Sequence, residues 1–138
     1  MTDTTTTSAT DYKLHAVCLA ATTGLDGAPT LYLSLAVDPS RGTVTGQGRQ
    51  VQAIAPPAGD LHINGITGRA ITEYVLGAPE QMLILHGTVV VNFPPPAIGS
   101  MAEPFSAVLH FTDAEHGVAS WTLAGQSYRD VPFTAHPC

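Results

Sequence analysis

The pattern of apolar and polar positions is that of short strands separated by turns. Its strongest stretch is Gln81 to Phe93, QMLILHGTVVVNF, in which nine of thirteen residues are Met, Leu, Ile, Val, Thr or Phe and none carries a charge. Three adjacent valines, Val89 to Val91, favour an extended backbone, and Pro94, Pro95 and Pro96 stop the element. With Leu83, Leu85, Val89 and Val91 on one face and Met82, Ile84, His86 and Val90 on the other, both faces are largely apolar. The pattern therefore predicts a central strand covered on both sides, with Gly87 at a bulge or close approach.

Period-two alternation also marks Tyr12 to Ala20 and Thr30 to Val37, the latter with Leu31, Leu33, Leu35 and Val37 on one face. Asp26-Gly27 and Asp38-Pro39-Ser40-Arg41-Gly42 supply the turns. Thr43 to Thr45 and Arg49 to Ile54 are read as short strands around Gly46 and Gly48. Leu61 to Ile63 and Gly68 to Val75 form either two strands or one long bent one. Pro94 to Pro104 is read as a loop. Phe105 to Thr112, Val118 to Ala124 and Tyr128 to Phe133 complete the set, with Trp121 facing inward.

Eight to ten such strands without a sustained helical stripe predict an all-β fold with little or no helix. An antiparallel β-sandwich is expected, with a closed β-barrel as the alternative. One domain accounts for residues 11–138, preceded by a Thr-rich tail over residues 1–10.

Segments GAPTLYLSLAV and QAIAPP, with the glycines between them, resemble a small bacterial family whose members carry only a domain-of-unknown-function label. The resemblance covers about the first half of the chain. It implies an all-β domain of a bacterial protein and transfers no functional residue.

Composition narrows the function. Charged residues make up 12% of the 138 positions, about half the usual share. Five basic residues, scattered singly, stand against 11 acidic ones, which argues against a nucleic-acid interface or a basic membrane-binding face. No 18-residue apolar run is present, and Met1 to Thr10 lacks the basic and apolar regions of a signal peptide. The expected compartment is the cytoplasm, with leaderless secretion as the alternative. Cys18 and Cys138, the two cysteines, could pair if the C-terminus folded back, but two cysteines do not make a disulfide framework. Cys18 is expected to be a small buried residue and Cys138 a free thiol.

Candidate chemistry is sparse. Gly46-Gln47-Gly48 and Gly65-Ile66-Thr67-Gly68 lack the spacing and following helix of a phosphate loop, no nucleophile elbow occurs, and no cofactor is implied. His62, His86 and His110 fall in candidate strands and could hold Zn²⁺, Fe²⁺ or Ni²⁺ if they converged, with Asp60 or Glu115 completing the shell. No His-x-His or His-x₃-His spacing forces them together. Tyr32, Tyr74 and Tyr128 are candidates for a stacking surface that takes a sugar or another protein. A non-catalytic domain that binds a protein, such as its own copy, is the leading expectation, argued from strand edges that few charges guard. A metal-dependent enzyme and a carrier of a small apolar ligand or carbohydrate are the alternatives.

Overall fold

The computed structural model describes residues 15–54, 59–76, 78–92 and 96–138, without the side chains of residues 73–75, 78 and 79. The tail over residues 1–10, Tyr12 and the prolines at 94 and 95 lie outside the described residues. The eight strands that follow are those of the described residues, and no helix occurs among them. They are β1 (His15–Ala21), β2 (Thr30–Asp38), β3 (Thr43–Val51), β4 (Asp60–Val75), β5 (Ala78–Asn92), β6 (Ser100–Phe111), β7 (His116–Leu123) and β8 (Gln126–Pro137).

Each strand pairs antiparallel with the next, and β1 pairs with β8, so the sheet closes into an up-and-down barrel. The all-β expectation holds, and the closure is the barrel, the alternative to the expected sandwich. Eight strands enclose a space that side chains alone can fill, so no second sheet is needed to cover the inner faces. Alternate residues point inward, among them Leu31, Leu33, Leu35, Leu83, Leu85, Leu109 and Trp121, all buried. The one buried polar side chain among the described residues, Gln50, accepts a hydrogen bond from Trp121 Nε1 at 2.8 Å across the interior, from β3 to β7.

Closure changes two expectations about β3 and β5. The runs around Gly46 and Gly48 form one strand with an irregularity at the glycines, and it is hydrogen-bonded on both sides, to β2 and β4. Its edges are not free, which removes the strand-edge route to self-association. Strand β5 buries Leu83, Leu85 and Val89 as expected, but Met82, Ile84, His86 and Val90 lie on the outer wall and not under a second layer.

Strand β4 is the long, bent version of the two readings. Its bend lies between Asn64 and Thr67, where Gly65 has φ 62°. Further along, a Cβ at Gly68 would collide with the carbonyl oxygen of Ile84 and with Leu85, so glycine there lets β4 lie close to β5. Strand β6 starts at Ser100, inside the stretch read as a loop.

Cys18 and Cys138 form a disulfide, with Cα atoms 5.1 Å apart. The expectation of a buried Cys18 and a free Cys138 is thereby corrected. Cys18 sits on the outer side of β1 and pairs in register with His136 of β8, two residues before Cys138, whose side chain therefore falls on the same side of the strand pair.

Candidate functional site

The sheet register decides where each candidate side chain lies. His86 faces Ser106 across β5 and β6, and His110 lies four residues further along β6, about 13 Å away at strand rise. His62 is separated from Thr67, the β4 partner of His86, by the bend. All three are on outward strand positions, and the barrel does not bring them together. No group of three His, Cys, Asp or Glu side chains suited to a metal ion exists among the described residues.

Each histidine has a different local environment. His62 Nε2 lies 3.7 Å from Asp60, whose carboxylate accepts hydrogen bonds from Arg49 Nε at 2.8 Å and Nη2 at 3.0 Å. The Arg49 hydrogen bond holds the Asp60 carboxyl below its ordinary pKa, against a smaller opposing effect of desolvation. His110 contacts Glu80, and its buried Nε2 lacks hydrogen-bond geometry toward that carboxylate. Protonation of the ring would make the contact an ion pair. Glu115, the other acidic candidate, lies in the exposed β6–β7 turn. There the Glu115 and His116 amides and the His116 ring donate to Asp113, and the Glu115 amide contributes most to lowering the Asp113 pKa.

The tyrosines are likewise dispersed. Tyr32 is on the outer wall beside Arg49 and His62, in a shallow cleft of about 290 Å³. Tyr128 packs on Trp121 with ring centroids 5.0 Å apart. It lines a groove of about 520 Å³ on the outer wall from β5 to β8. Tyr74 belongs to β4, and its side chain lies outside the described residues.

Two further features divide the barrel's ends. One end carries the β1–β2, β3–β4 and β5–β6 connections, and Leu25, Ile54 and Ile98 in those connections are 72%, 48% and 96% exposed. Val90 and Met101 are also exposed, in the part of the β5–β6 hairpin that extends past the paired ends of β4 and β7. The opposite end has a cleft of about 480 Å³, with Val17, Val37, Leu83 and Phe111 toward the core and His15, Glu80, Gln81 and Asp113 at its rim. Below that mouth the interior is occupied by the core side chains.

Among the described residues no hydroxyl is hydrogen-bonded to an imidazole, so the nucleophile-and-base contact of covalent catalysis is not formed. The apolar end was not legible in sequence because Leu25, Ile54, Ile98 and Met101 are single apolar residues in or beside turns, and Val90 looks like a core position of its strand. Gln50 was missed because nothing in GRQVQ distinguishes an inward glutamine from an outward one.

A family described as "Domain of unknown function (DUF1842)" matches residues 13–128. The match runs well past the half of the chain that carries the resemblance in GAPTLYLSLAV and QAIAPP. No curated protein matches the chain.

Proposed function

We propose that this chain, which belongs to the DUF1842 family, is a non-catalytic binding domain whose apolar end docks against a second copy of itself. The observation that carries this reading is that Leu25, Ile54, Val90, Ile98 and Met101, all exposed, lie on the loops and hairpin of one barrel end. Several large apolar side chains exposed at one end of a domain favour an interface over open solvent.

The chemistry favours a protein surface. No Lys or Arg occurs in the described parts of those three connections, and Asp26 and Glu103 stand beside the apolar side chains, a poor match to anionic lipid. A two-fold contact needs only one self-complementary patch. Each copy then supplies the same three connections and projecting hairpin toward the roughly 800 Å² per partner of an ordinary interface. Because each copy carries a formal charge of −6, added salt should leave the association unchanged or strengthen it.

Light scattering on a size-exclusion column, across a dilution series, tests the reading. The expected mass at high concentration is twice 14.4 kDa. Leu25→Asp combined with Ile98→Asp should return the mass to that of one chain while the circular-dichroism spectrum stays that of the folded barrel, and should remove any dependence of the melting temperature on protein concentration. A single-chain mass at every concentration, or a dimer indifferent to both substitutions, would overturn the proposal.

A further inference from the structure

The outer wall from β5 to β8 holds a second surface, away from the apolar end. His86 pairs in register with Ser106, Ser106 with Thr122, and Thr122 with Ser127, so these four side chains form one row across four strands. Thr122 and Ser127 are hydrogen-bonded through their hydroxyls at 3.0 Å. Neighbouring strands are about 4.8 Å apart, so the row presents hydrogen-bonding groups at intervals comparable to the length of a sugar ring. The groove of about 520 Å³ along this row is within the range of ligand sites.

A break in the β7–β8 register adds charge beside the row. Between Ala119 and Trp121 the pairing shifts, and Asp130 takes φ 51° while its amide donates to Ser120 Oγ at 3.0 Å. An extra residue in one strand re-aims side chains. Here it leaves Arg129 and Asp130 both exposed, where strict alternation would turn one of them inward. One guanidinium and one carboxylate, adjacent and of opposite sign, suit a neutral ligand with neighbouring hydroxyls better than an anion. Tyr128 pairs in register with the inward Trp121 and packs on it, so its ring belongs to the core beneath the groove and not to the row.

We propose that this groove is a saccharide-binding site that takes a short neutral oligosaccharide lying across β5–β8, with His86, Ser106, Thr122, Ser127, Arg129 and Asp130 as its hydrogen-bonding groups. It works on the barrel wall and does not depend on how the apolar end is used.

The test is amide and histidine-ring NMR on the full chain, titrated separately with cellotetraose, maltotetraose, chitotriose and inorganic phosphate up to millimolar concentration. Saturable shifts confined to the row and to Arg129 and Asp130, with at least one of the three oligosaccharides and not with phosphate, are expected. Thr122→Val keeps the side-chain volume and removes the hydroxyl, while Arg129→Ala removes the cation. Each should weaken binding about tenfold, equivalent to about 1.4 kcal/mol, with an unchanged amide spectrum elsewhere to show that the fold persists. The proposal is overturned by an absence of shifts with all three oligosaccharides, by phosphate shifting the same residues as strongly, or by binding that survives both substitutions.

Discussion

Removing the Cys18–Cys138 bond by Cys138→Ser puts the closure of the barrel to a quantitative test. The bond joins residues 120 apart, and the chain-entropy estimate for a loop of that length is about 5 kcal/mol of stabilisation through the unfolded state. Since whole domains of this size are stable by about 5–15 kcal/mol, the loss would be a large share of the total. The β1–β8 seam nevertheless retains its paired positions from Val17↔Pro137 to Ala21↔Phe133, and Leu19, Phe133 and Ala135 stay buried. The variant should therefore fold and be less stable by about 3–5 kcal/mol, a fall in melting temperature of about 10–17 °C for a chain of this length. Urea unfolding of the parent with and without a reducing phosphine, beside Cys138→Ser and Cys18→Ser, supplies the measurement. Reduced parent and both variants should share one lowered midpoint, and the reductant should do nothing to either variant. Equal midpoints for oxidised and reduced parent, or two thiols titrating in the native oxidised protein, would refute the reasoning.

Two other outcomes are expected. Leu85 is fully buried on β5, so Leu85→Ala should cost about 2–5 kcal/mol through lost burial and a cavity, whereas Val108→Ala on the outer wall should cost about 1 kcal/mol or less; equal losses in urea unfolding would contradict the inward placement of Leu85. Asp38, Asp60 and Asp113 have folded-state pKa values below the ordinary 3.8, so their contribution is complete above about pH 4 and is lost as pH falls through the lowered values. The urea midpoint should drop on acidification in that range and drop less in Asp113→Asn, and a parent and variant with identical pH profiles would exclude this role for Asp113.

The inner half of the fold was legible because period-two alternation reports burial directly: Leu31, Leu33 and Leu35, or Leu83 and Leu85, face one way whatever the closure. Closure itself was not legible. Pairing of β1 with β8 depends on cumulative twist and register, to which each strand contributes only a part. The apolar outer face of β5 illustrates the cost: Met82 and Ile84 look like core positions in sequence, and only the barrel shows that no second layer lies over them. Of the groove's lining, the sequence singled out His86, as a metal candidate, and Tyr128. The alignment of His86, Ser106, Thr122 and Ser127 is a property of register across four strands, and Arg129 and Asp130 share an exposed side only because the β7–β8 pairing shifts. Cys18 and Cys138 were misread for the same reason, since their proximity follows from the seam and not from spacing.

The strand order also sets the route by which the chain folds. Seven of the eight pairings among the described strands join consecutive strands across single connections, and the eighth joins β1 to β8. Hairpins of the first kind form within about 1–10 μs in isolation, while the last pairing must bring together segments more than a hundred residues apart and bears the larger loop-closure entropy. A chain with its hairpins made and its seam still open is a curved sheet, with β1 and β8 presenting unpaired backbone beside apolar side chains such as Leu19, Val131 and Phe133. That species is the one exposed to aggregation. The cysteine sulfurs meet across the paired seam, so the covalent bond, once formed, prevents the closed ring from returning to the open sheet.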